Sequence, residues 1–297
     1  MRSFPALPAA IALAAAAALA SPFASAQTFP KSVQKQAAQQ SHNPGLAQPA
    51  AAQQSLADRR AALSAILDQV WQDRLAHHPE FASAIGDTRY NDQLTDYSVS
   101  AYNEELSRGR QYIIRLGGID TAGMSAQESA AKDEIVQQLV DQQQQAESKP
   151  WEEPFSVFNG PQVRLPELVP LLSFTTAKDY DDYAARLTRL PIAFQQVTDN
   201  AMSGIEDGRV PPKAVLDKVL AEVNAIASAR PEDTPFAVPL KKFPSSVSAA
   251  DQTRIRTEVL DAIRTKVIPA YAQLARFFTR TYIPASANQP NVWNPRY

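Results

Sequence analysis

Apolar residues return every three or four positions through the last third of this chain, and no stretch of it keeps up an alternation of apolar and polar residues. In "SAADQTRIRTEVLDAIRTKVIPAYAQLARFFTRTY" the returning residues are Ile255, Val259, Leu260, Ile263, Val267, Tyr271, Leu274 and Phe278. An α-helix turns once in about 3.6 residues, so this spacing lays them along one buried stripe. A half-buried strand would need a step of two. The same step recurs upstream in Leu63, Ile66, Leu67, Val70, Trp71 and Leu75, and again in Val215, Leu216, Val219, Leu220, Val223 and Ile226. The pattern predicts an all-α fold, a bundle of long helices with Pro-rich irregular connections.

Turn-forming and capping residues place the breaks. Pro79 ends the first helix, because a helix interior there would lose a hydrogen bond. "GDTRYNDQLTDYS" reads as a loop. Ser100-Ala-Tyr-Asn-Glu opens a second helix that runs to Gly117-Gly118. Ser125 followed three residues later by Glu128 has the form of a capping box, ahead of a helix that reaches the Gln run at 142–145. Residues 150–175 carry five prolines and several aromatics and read as irregular. "DYDDYAARLTRLPIAFQQVTDNAMSGIEDG" predicts a long helix kinked at Pro191. "RVPPKAVLDKVLAEVNAIAS" begins with Pro at a helix N-terminus, where the missing N–H costs nothing.

The first 26 residues read as a processing signal. "MRSFPALPAAIALAAAAALASPFASA" has one Arg, an apolar Ala-rich run and a closing Ala24-Ser25-Ala26, which predicts cleavage after Ala26. The run is too short to act as a spanning helix. Residues 27–56 are Gln, Ala and Pro with few large apolar side chains, a disordered tether by composition. The helical domain is expected over 57–297. The chain has no Cys, so it offers neither a lipid attachment site nor disulfides. The expectation is an exported, periplasmic protein without a membrane span. A formal net charge of -2 and the lack of long basic runs argue against nucleic acid as partner.

Chemistry-bearing patterns are sparse. Of three histidines, His42 falls in the tether, and His77 and His78 are neighbours that would diverge by about 100° on a helix. Asp73 and His77 stand one turn apart and could pair as a simple surface contact. There is no HExxH, no HxxEH, no GxSxG and no Gly-rich phosphate loop. The acidic groups Glu104-Glu105, Glu152-Glu153 and Asp179, Asp181, Asp182 precede helices, open them or lie on polar faces; negative charge in a first turn suits the helix dipole. In "GDTRYND" an Arg–Asp bridge that fixes the turn is the plain expectation, with Arg89 and Tyr90 as candidates to line a ligand cleft.

Four stretches, "HPEFASAIGDTRYNDQLTDYS", "LPELVPLLSFTTAKDYDDYAARLTRLP", "GIEDGRVPPKAVLDKV" and "KVIPAYAQLARFFTRTYIPAS", resemble in order and spacing the bacterial family filed as domain of unknown function 885. "GRVPPKAVLDKV" is the most specific of them. The resemblance covers roughly residues 57–293 and implies an α-helical, zinc-peptidase-like protein, often exported or lipid-anchored. The family's metal motif is a His-Glu pair with Gly-His-His a few residues on, then a Glu-Gly-Trp segment, in the second half of a chain about twice as long. No residue here matches it. After "YIPAS" the family carries an Arg where this chain has Ala287, and this chain then reads "NPRY" after Val292-Trp293.

The expectation drawn from this resemblance is an N-terminal helical half without the catalytic half, inactive alone. No cofactor would be held in this chain, and zinc would come only with the missing C-terminal half. The partner would be that half, separately encoded, or a peptide. Two other readings stand beside it: a periplasmic helical binding module, and a hydrolase that uses the acidic cluster with Arg89.

Overall fold

The structure, a computed structural model, describes residues 54–286. The signal segment over 1–26, most of the tether with His42, and the tail with Ala287 lie outside the described residues. The all-α expectation holds: the described residues form helices and turns and no strand. Two compact units are present, one from residues 54–71 and 112–139, the other from 72–111 and 140–286.

Two capped helix starts organise the first unit. Helix α1 (Leu56–His77) begins one residue inside the expected tether, because Ser55 Oγ accepts the Asp58 N–H at 3.1 Å and donates back to the Asp58 carboxylate at 2.7 Å. Helix α3 (Val99–Gly117) ends at the glycine pair, as expected. The capping box that opens α4 (Ala126–Ala146) is formed: Ser125 N–H donates to Glu128 at 2.7 Å and Glu128 N–H to Ser125 Oγ at 3.2 Å. Glu128 also meets Arg60 of α1 at 2.8 Å. Arg59 grips the α3–α4 connection through the carbonyls of Asp120 and Ala122 and the Asp120 carboxylate. Leu63, Ile66 and Leu67 from α1 then pack with Leu116, Ile119 and Ile135 as one apolar cluster.

The second unit holds the larger core. It contains α2 (Pro79–Ala84), α5 (Pro161–Leu168), α6 (Ala177–Glu206), α7 (Lys213–Ala227), α8 (Ala249–Ala262), α9 (Ile268–Phe277) and α10 (Ile283–Ser286). The segment 150–175, read as irregular, forms a regular helix in α5 even with Pro166 inside it. Pro161 occupies the first turn, where no N–H is required, and Leu165 and Leu168 are buried. Helix α6 runs unbroken through Pro191. Asp179 starts it by accepting the N–H groups of Thr175 and Thr176 at 2.8 and 2.7 Å. Its apolar face carries Tyr183, Leu187, Leu190, Phe194, Val197 and Ala201 into the core, against α7 residues Leu216, Val219 and Val223 and the whole stripe from Ile255 to Phe278.

That stripe belongs to one rod, in which α8, α9 and α10 are joined by two π-helical turns, Ile263–Val267 and Phe278–Tyr282. Two buried tyrosines of this core keep their hydroxyls satisfied: Tyr271 donates to the Gln162 carbonyl and Tyr183 to the Phe236 carbonyl, each at 2.8 Å. Phe155 closes the far end of the rod, its ring 5.0 Å from that of Phe278 and 5.9 Å from that of Tyr282.

The start of the most specific sequence stretch, "GRVPPKAVLDKV", forms a clasp with the end of α6. Gly208, at φ 73°, ends α6 in the left-handed region. Its N–H reaches the Ile205 carbonyl and the Arg209 N–H reaches the Gly204 carbonyl at 2.7 Å, the two bonds of a Schellman cap. A Cβ on Gly204 would lie 2.2 Å from the Glu152 carbonyl oxygen, so only glycine lets the turn at Pro150–Glu152 approach the helix. Arg209 meets the buried Glu152 carboxylate at 3.1 Å, Lys149 meets it at 3.0 Å, and Arg209 also donates to the Ser148 carbonyl. Gly204→Ala therefore drives a methyl into backbone and should cost about 1–3 kcal/mol or more. Gly208→Ala forces an L-residue into the left-handed region and should cost roughly 1 kcal/mol through φ. Thermal denaturation of both variants checks that order.

Candidate functional site

The loop after α2 supplies the residues singled out from sequence. Asp87 accepts the Arg89 N–H at 3.1 Å and so caps the short 3₁₀ turn Thr88–Tyr90. The Arg89 guanidinium returns to the same carboxylate, with Nε 3.0 Å from each oxygen and Nη2 at 2.6 Å, and reaches Gln72 at 2.8 Å. The Arg89 hydrogen bond holds the Asp87 carboxyl below the usual range despite a desolvation push the other way. This is the turn-fixing Arg–Asp bridge expected from "GDTRYND". The Arg89 head also lies 5.3 Å from the centre of the Tyr90 ring. Arg89 is about half exposed, whereas Tyr90 serves the fold through its carbonyl.

What receives that carbonyl is Arg186 on α6, which sequence reasoning passed over. Its Nε donates to the Gln93 carbonyl at 2.8 Å, and its Nη2 donates to Ser83 Oγ at 2.6 Å and to the Tyr90 carbonyl at 2.9 Å. Ser83 and Asn91 are buried with it, their side chains 2.6 Å apart. Further along the same helix Arg189 donates to the Asp92 carbonyl at 2.8 Å, Gln196 accepts the Tyr97 N–H at 3.0 Å, and Asn200 donates to the Tyr97 carbonyl at 2.7 Å. Residues 186, 189, 196 and 200 thus form a polar ladder that ties down the loop. The sequence did hold a signal: Arg186 is in phase with Tyr183 and Leu190, so an apolar stripe runs on both sides of a charge.

Arg186 is only 3% exposed, and its Nη1 has no hydrogen-bond partner. Burial lowers its pKa, opposed by the charges of Glu80 and Asp92. Arg186 is among the residues that line a small, mainly apolar pocket with Leu94, Leu165, Leu168, Tyr183 and Leu190.

The remaining candidates are dispersed. His77 and His78 point to separate partners: His77 Nδ1 sits 2.7 Å from the Asp73 carbonyl, not its carboxylate, and His78 Nε2 sits 3.3 Å from Glu105. Gln142 donates to the same Glu105 oxygen at 2.6 Å. Of the acidic cluster, Asp179 caps α6, Asp181 meets Arg254 at 2.8 Å, and Asp182 accepts from Lys178 at 2.7 Å. Among the described residues no three His, Cys, Asp or Glu side chains group to hold a metal ion. Among them, too, no helix is long and apolar enough to cross a membrane.

Arg186→Met strips donors from three acceptors, two of them backbone carbonyls, and should destabilise the protein by about 3 kcal/mol or more. Arg89→Ala, at a half-exposed pair, should cost about 0–1 kcal/mol. Urea unfolding of the two variants distinguishes the buried clamp from the surface bridge.

Among solved structures, the chain is similar to one described as "the putative lipoprotein from Colwellia psychrerythraea", with a TM-score of 0.65 and 16% sequence identity. That likeness covers 80% of this chain and 43% of the other, so the chain spans less than half the length of that protein. At this identity the likeness is one of fold. No curated protein matches the chain. The family model described as bacterial protein of unknown function (DUF885) matches residues 79–297, the greater part of the sequence, and the chain belongs to that family.

Proposed function

We propose that these residues are the N-terminal helical part of an exported, zinc-peptidase-like protein, with metal binding and catalysis supplied by residues outside this sequence. One observation carries the reading: a chain that belongs to this family aligns along most of its own length with less than half of a larger protein of the same fold. Further support comes from the commitments of its polar side chains. Both histidines at 77 and 78 and the carboxylates of Glu105, Asp179, Asp181 and Asp182 serve caps, turns and ion pairs. In this reading the loop that carries Arg89 and Tyr90 lines one wall of a cleft, with its backbone position fixed by Arg186 and the rest of the ladder on α6. The signal-like segment 1–26 directs export to the periplasm.

The purified chain should carry well below one zinc per molecule by elemental analysis and show no peptidase activity. Added segments that bear the His-Glu and Gly-His-His pattern should bring zinc and activity together. Stoichiometric zinc with peptidase activity in the chain alone would overturn the proposal.

A further inference from the structure

We draw no further inference here: the strongest candidate, the exposed apolar side chains of Leu171 and Val238 on the packed turns Val169–Leu171 and Pro235–Lys241, is an unpartnered surface, and nothing in the structure shows what covers it.

Discussion

A guanidinium withdrawn from water joins α6 to the loop that crosses it, and the larger unit is arranged around that join. Burying Arg186 without partners would cost several kcal/mol. The carbonyls of Tyr90 and Gln93 and the hydroxyl of Ser83 carry the same liability from the other side, since each is a polar group turned toward a helix. Each side removes the penalty of the other, so loop and helix order together. Once the loop is held, Leu94 and Tyr97 come down on the core, and Tyr97 is tied at both its N–H and its carbonyl. Helix α6 therefore works with two adjacent faces, one apolar toward α7 and the rod, one polar toward the loop.

The rod obeys a different constraint. Ile255, Val259, Ile263, Val267 and Tyr271 are spaced by four, as are Leu274, Phe278 and Tyr282, and all are buried. In a regular helix a four-residue step overshoots one turn by about 40°, so the stripe would wind away from the core within a few steps. A π-helical turn admits an extra residue and brings the stripe back. Both π turns in the rod close with an i→i−5 bond donated by an isoleucine that precedes proline: Ile268 N–H to the Ile263 carbonyl, and Ile283 N–H to the Phe278 carbonyl. Pro269 and Pro284 have no N–H to give the ordinary i→i−4 bond, so the ladder is already open there. The prolines permit the π turns, and the four-residue spacing gives them a use.

These cases mark what the sequence made legible. Helix class, the Ser125–Glu128 capping box, the glycine stop at 117 and the Arg89–Asp87 bridge follow from local chemistry acting over four residues or fewer, and a linear reading reaches them. The regular helix over Pro161–Leu168 did not follow, because a local excess of proline was outweighed by burial, with Leu165 packed into the core of distant residues and Leu168 buried beside it. Arg186 was missed for a similar reason: its three acceptors lie 93 to 103 residues away along the chain. The spacing by four in the rod was visible, but a helical period had already accounted for it.

The same distinction separates scaffold from site. Side chains that could carry chemistry, among them His77, His78, Asp179, Asp181 and Asp182, are held here by caps, turns and ion pairs. Arg186 differs because its duty is incomplete. Two of its nitrogens fix the loop, and the third is left over by geometry, since three acceptors on one side of a planar fork cannot also fill the other side. A loop held this rigidly keeps an exposed turn such as Arg89–Tyr90 in one position. The clamp that orders the loop is therefore also what leaves one buried Arg186 nitrogen without a hydrogen-bond partner.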